Sequence, residues 1–399
     1  PIVVATFNYR VGLGGFLASA AIKEELQRDG YAGCGNFGLT DQQVAFEWIN
    51  RYIPSLGGDP ENVTAVGESA GGISISHQLL AANRPKFHRA VCMSGLSASI
   101  PSWTMEEHER LFQAVCQCFD IAADDPQVLE LLRSIPQQDL ADATDRVHGV
   151  PASTGNPCLD GWFHSGDPLE PHEAPLWLKS YMLGDVYHEG IIFHPNLLDD
   201  DYDFIHSTLH DSIGDDAHVN EVLRLYEMFP DTPQHLLLER FEHMAGDAVF
   251  KIPNFVTANL STRLQADESL FRYHFDQRTR MKGPLEGTAY HAYELLYLFR
   301  NLDNELNKEE LSLAESFVRA WIAFCHGDKP WETGTDRWMV WGPDGRHQVK
   351  SEAEDETARD YTRFKSVLNM GEGNSVQKKW LRGVDTIVNK RMRIGTFRS

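Results

Sequence analysis

Nowhere in its 399 residues does this chain hold an unbroken apolar run near the roughly 18 residues that a membrane-crossing helix needs. That excludes a helical membrane span within the sequence. Positive charge is also scarce: 36 Lys and Arg stand against 58 Asp and Glu, a formal net charge of −22. A protein that grips a phosphate backbone needs a basic face, so nucleic acid is excluded as a main partner. Six cysteines occur, Cys34, Cys92, Cys116, Cys118, Cys158 and Cys325, with no pair at zinc-finger or C-x-x-C spacing. They are expected to be buried free thiols, which leans the compartment toward the cytoplasm rather than the exterior. No leader peptide can be read at Pro1, and the chain shows no internal repeat or low-complexity linker.

What is present is a β-α-β-α-β order. Residues 2–8 (IVVATFN) form a β-branched apolar run ahead of a glycine-rich turn, which predicts a buried parallel strand. Residues 39–53 have helical spacing, residues 62–67 (NVTAVG) predict a second short strand, and a helix is expected through Ile73, Ile75, Leu79 and Leu80. Residues 90–93 (AVCM) predict a third strand. Later strands are expected at 181–186 and 270–275, a late helix at 311–326, and an acidic helical excursion over 104–145. Strands alternating with helices imply an α/β fold with a mostly parallel sheet covered on both faces. The end of the chain turns basic, with Lys378, Lys379, Arg382, Lys390, Arg391, Arg393 and Arg398. The expected organisation is one α/β unit over residues 1–375 and a solvated basic tail over 376–399.

The junction Gly67-Glu68-Ser69-Ala70-Gly71 fits G-x-S-x-G between a predicted strand and a predicted helix, followed by Gly72. A serine on so sharp a turn sits in strained backbone, and Gly67 and Gly71 are expected to relieve the crowding on either side. The following helix would aim its leading N–H groups at the site where negative charge develops. A serine hydroxyl attacks only when a base takes its proton, and the base needs an orienting acid, so a histidine and a carboxylate must accompany Ser69. In this chain order the acid precedes the histidine. Ten histidines follow residue 189, and spacing does not choose among them.

Several motifs together resemble the type-B carboxylesterases, the family that includes the cholinesterases, over residues 1 to about 345. They are IVVATFNYRVGLGGFL at 2–17, GNFGLTDQ at 35–42, GGDPENVTAVGESAGG at 57–72, Asp160-Gly161, and AWIAFCHGDKP at 320–330. The resemblance implies an α/β-hydrolase fold. It also implies a triad: Ser69 as nucleophile, Glu189 of GDVYHEG as acid, and His291 of YHAYEL as base, with Asp185 or Asp199 as alternative acids. Glu68 is expected to be structural. The implied reaction is hydrolysis of a small-molecule carboxylic ester through an acyl-enzyme, with no cofactor or metal.

In that family the oxyanion receives the backbone N–H of the residue after the serine, here Ala70, and others from an H-G-G-G-type loop upstream of the segment matching 2–17. The expectation is therefore of a chain incomplete at its N-terminus, slow as an esterase without that loop and the strand before it. Gly12-Leu13-Gly14-Gly15 aligns elsewhere and does not replace the loop. A catalytically impaired or non-enzymatic binding homologue is the rival reading, and a lipase, lactonase or amidase is a second. The aromatics Trp103, Trp162, Phe163, Tyr290, Tyr293, Tyr297 and Phe299 are expected mostly in the core. The sequons at Asn62 and Asn259 need no glycan to account for them.

Overall fold

The computed structural model describes residues 1–148, 155–164, 166–170, 172–371 and 375–389. Six strands make one sheet: β1 (Thr64–Glu68), β2 (Arg89–Met93), β3 (Ser180–Val186), β4 (Leu270–Phe275), β5 (Arg337–Trp341) and β6 (His347–Ser351). Their order across the sheet is their order in the chain. The first five run parallel and β6 is antiparallel to β5. Each parallel neighbour must be reached by a crossover, so helices are forced onto the faces of the sheet. The helices that bear on the site are α1 (Phe37–Tyr52), α2 (Ala70–Leu79), α3 (Tyr202–Ile213), α4 (Gln234–Gly246), α5 (Ile252–Leu260), α6 (Lys308–His326) and α7 (Ser375–Asn389).

Side chains along a strand alternate between faces, and the core divides accordingly. Ala90, Cys92, Tyr181, Leu183, Leu270 and Trp338 enter one core with residues of α3, α4, α5 and α7. Val91, Met93, Met182, Phe271, Tyr273 and Phe275 enter the other, against Leu313, Phe317, Trp321 and Phe324 of α6. Both faces are apolar, so these strands read as unbroken hydrophobic runs in the sequence. The helix expected at 311–326 begins earlier, at Lys308, because Asn307 and Glu310 cap each other: Asn307 Oδ1 accepts from Glu310 N at 2.8 Å and Glu310 Oε2 from Asn307 N at 2.9 Å. The excursion over 104–145 is three helices, Met105–Cys118, Val128–Ser134 and Gln137–His148, with a core of their own. All six cysteines are unpaired, and Cys34, Cys92, Cys116 and Cys158 are buried.

Two expectations are corrected. Residues 2–8 form no strand. The sheet starts at β1, whose only strand partner among the described residues is β2, and Ile2, Val3 and Val4 are exposed. An apolar run becomes a buried strand only when a neighbouring strand takes up its backbone groups, and nothing in residues 2–8 finds one. Their end is held by charge instead: Arg10 donates to Asp41 through its backbone N (3.1 Å), Nε (2.8 Å) and an Nη (2.7 Å). The N-Y-R and L-T-D-Q motifs are thus two halves of one contact.

The solvated tail is the second correction. Up to Asn389 it is helix α7, which buries Val376, Trp380, Leu381, Val384, Ile387 and Val388, packing against α3 and the turn Asp247–Lys251. Those positions recur at helical spacing and make one stripe, which the count of basic residues obscured. Residues 390–399 lie outside the described part of the chain. Because Trp380 is fully buried, Trp380→Ala should lower unfolding stability by about 3–5 kcal/mol. Chemical denaturation checks this, and a change near zero would show that α7 does not belong to the core.

Candidate active site

Ser69 lies between the end of β1 and the start of α2, with φ 54° and ψ −120°. Non-glycine residues seldom occupy this region, and the surrounding contacts hold it there. Its N–H donates to Met93 O at 2.8 Å, tying the turn to the end of β2, and its carbonyl accepts from Ile73 N at 2.9 Å. A Cβ on Gly67 would lie 2.3 Å from the carbonyl carbon of Gly71, so only glycine fits at 67. A Cβ on Gly71 would meet nothing within 4 Å. The expectation that both glycines relieve crowding therefore holds for Gly67 alone. Ala70 is the first helical residue of α2, so its N–H is one of the leading donors without an acceptor inside the helix.

Glu189 opens a 3₁₀ turn three residues after β3, and His291 lies in the loop that follows β4. A short parallel bridge pairs His188 with Tyr290, with His188 N donating to Ala289 O at 2.8 Å. That register sets the next residues, Glu189 and His291, side by side. Glu189 Oε2 meets His291 Nδ1 at 2.5 Å, and its Oε1 accepts from Val186 N at 2.8 Å. The chain then turns at Ala292, whose φ of 68° is left-handed, which accounts for a small residue after the histidine. The glycine of the Glu-Gly pair is also explained: a Cβ on Gly190 would lie 1.8 Å from Glu242 O of α4.

The other imidazole nitrogen, Nε2, lies 3.0 Å from Glu68 Oε1, out of hydrogen-bond alignment, and has no hydrogen-bond partner among the described residues. Glu68 therefore sits at the histidine, beside Ser69. Burial is the main cause that raises the Glu68 carboxyl to about 7, partly offset by His291. For His291 burial disfavours the charge, but Glu189, with help from Glu68 and Glu294, outweighs it and raises the imidazole to about 9. Glu294 is fully buried, and burial followed by Glu189 and Glu68 pushes its carboxyl well above the usual range. Phe250 covers the imidazole, ring centroids 4.8 Å apart, from a π-helical turn (Asp247–Lys251) between α4 and α5. Neither Glu294 nor Phe250 was singled out from the sequence. Glu294 was visible as the glutamate of YHAYEL, whereas Phe250 carries no local signal.

The alternative acids lie elsewhere. Asp185 is buried within the sheet, where its Oδ1 meets His274 Nδ1 at 2.7 Å and Arg359 at 3.5 Å. His274 Nε2 in turn meets the Tyr361 hydroxyl at 2.8 Å, under the stacked ring of Trp338. Asp199 is exposed. Asp160 is a loop clamp, accepting from the backbone N–H groups of Cys34, Trp162 and Phe163. Trp103, Phe163, Tyr293 and Tyr297 are core residues, and Phe299 is exposed. No group of three His, Cys, Asp or Glu among the described residues could hold a metal ion, and no helix among them is long and apolar enough to cross a membrane.

The model of the carboxylesterase family matches residues 1–367. The chain belongs to that family. It is 28% identical over 346 residues to "Lipase 3" of Yarrowia lipolytica, covering 83% of this chain but 61% of the lipase. It is also 28% identical over 382 residues to the "Para-nitrobenzyl esterase" of Bacillus subtilis, covering 88% of this chain and 70% of the esterase. The chain thus spans about three-fifths to seven-tenths of these relatives' length. A solved structure of a PNB esterase superposes with TM-score 0.69 over 90% of this chain and 73% of that one, at 24% identity. The fold is that of the α/β-hydrolases.

In this member of the carboxylesterase family the acidic surroundings of His291 are directly testable. Glu68, ionised above its raised value, favours the imidazolium, so its removal must lower the histidine. In Glu68→Gln the His291 ring should titrate about one pH unit lower than in the parent, measured by NMR of the histidine ring protons. An unchanged titration would show that Glu68 does not act on the ring.

Proposed function

We propose that the chain hydrolyses carboxylic esters by two-step acyl transfer, with Ser69 as nucleophile, His291 as base and Glu189 as its orienting acid. The observation that carries this reading is the 2.5 Å contact between Glu189 and His291 Nδ1, at the same sheet edge as the strained serine. Ser69 Oγ attacks the ester carbonyl while His291 Nε2 takes its proton. Glu189 holds the proton on Nδ1 and stabilises the imidazolium that forms. The oxyanion receives the Ala70 N–H at the head of α2. The tetrahedral adduct collapses, the alcohol leaves with the proton returned by Nε2, and water repeats the sequence to release the acid and free Ser69.

One adjustment is required. Nε2 lies against Glu68, and it must turn to Ser69 Oγ as substrate enters, a tightening common between free and occupied active sites. Proton transfer needs the neutral imidazole. With His291 raised to about 9, the rate should climb as pH rises through the alkaline range. No step calls on a metal or cofactor, and the substrate is a small-molecule ester.

Hydrolysis of short-chain p-nitrophenyl esters by the purified chain tests the proposal. Ser69→Ala should lose activity by about 10⁴-fold or more and Glu189→Gln by about 10⁴-fold, with folding unchanged by circular dichroism. A Ser69→Ala variant as fast as the parent would overturn it.

A further inference from the structure

Glu189 rides on a short turn, Glu189–Phe193, whose outer side is open: Ile192 is 41% exposed. Helix α4 supports the inner side. A Cβ on Gly246 of α4 would lie 2.8 Å from Gly190 N and 3.2 Å from Glu189 Cβ, so helix and turn are in direct contact. Glu242, one turn earlier on the same helix, reaches both ends of the turn with its carboxylate. Its Oε1 meets His194 Nδ1 at 2.5 Å, just past the turn, and its Oε2 lies 3.5 Å from His188 Nε2, just before it. His243, the next residue of α4, stacks on the His188 ring with centroids 4.7 Å apart.

Burying a carboxyl is costly unless it is bonded, and the partners of Glu242 are the two ends of one turn. Burial raises the Glu242 carboxyl, partly offset by His194. Burial, with His243 and Lys251, lowers the His188 imidazole to about 3, so that ring is neutral. The backbone of His188 makes the bridge that sets Glu189 beside His291. At the other end Phe193 stacks on Phe250, the ring that covers His291. We propose that Glu242 is a positioning residue for ester hydrolysis: by holding His188 and His194 it fixes the turn that aims Glu189 at His291 Nδ1. This rests on the reading of Ser69, His291 and Glu189 as the reacting set. Among the described residues Glu242 bonds to neither His291 nor Ser69, so it acts through Glu189. Orientation of the base lowers the barrier without adding to substrate affinity, so loss of the clamp belongs to kcat and not to KM.

Glu242→Ala should lower kcat for short-chain p-nitrophenyl esters by roughly 10- to 100-fold, with KM within about twofold of the parent. His291 in the same variant should titrate about one pH unit lower by NMR of the ring protons, because Glu189 no longer holds the imidazolium. Glu242→Gln keeps the length and both polar arms of the side chain, and should restore most of both readouts. His194→Ala opens the clamp from its half-exposed end and should lower kcat about 3- to 10-fold. His194→Asn, whose amide reaches the Nδ1 position, should recover it. Parent-like kcat in Glu242→Ala, a loss of kcat that leaves the His291 titration unmoved, or Glu242→Gln as slow as Glu242→Ala would each overturn the proposal. If Glu242→Ala does not fold, the two His194 variants decide, and parent-like kcat and titration in His194→Ala overturn it. A parent chain without Ser69-dependent hydrolysis would count against the Ser69 mechanism, and the His291 titration would still decide the role of Glu242.

Discussion

The parallel register from β1 to β4 is the constraint on which the site depends. Strands that run the same way end on the same edge, so the segments leaving β1, β3 and β4 emerge together there. Ser69, Glu189 and His291 stand on those three segments, at the carboxyl ends where open α/β sheets gather their ligands. Two backbone ties refine the meeting: Ser69 N to Met93 O at the end of β2, and the bridge between His188 and Tyr290. Neither tie involves the side chains of Ser69, Glu189 or His291, yet both set where those side chains stand.

Burial then decides what the groups at that edge can do. Three glutamates, Glu68, Glu189 and Glu294, surround one imidazole in a setting that disfavours charge. Glu189 meets the ring directly, the Glu294 carboxyl is pushed well above its usual range, and that of Glu68 is raised to about 7. Phe250 shields one side of the ring, and exclusion of water strengthens each of these interactions. The same residue types elsewhere do something different. Asp185, His274 and Tyr361 form an acid–histidine–hydroxyl chain, but it is sealed between the sheet and Trp338, away from any strained nucleophile, and serves packing. Location, and not the inventory of groups, separates the two.

The residues before the sheet and after it show where composition misleads. Residues 2–8 have the side chains of a buried strand and lie exposed for want of a neighbour. Residues 375–389 have the charge of a solvated tail and bury a tryptophan. Strand formation depends on a partner that is distant in sequence, and helix burial depends on one stripe rather than on net charge. Both are properties of pairs of segments.

By itself the sequence determined the order of elements from β1 to β4, the G-x-S-x-G turn, and, through the motifs shared with the carboxylesterases, the candidates Ser69, Glu189 and His291. These are legible because each is local: β-branched runs of a few residues, a turn that admits only glycine at 67, a small residue where φ is positive at 292. Only the tertiary structure decided that Glu189 and not Asp185 meets His291, that Glu68 and Glu294 crowd the same ring, and that Phe250 covers it. The same is true of Arg10 joining Asp41. Apart from that of Glu294, three residues after the histidine, those contacts join residues 31 to 223 positions apart, and no local pattern encodes a distance between strands that meet only when the sheet has formed.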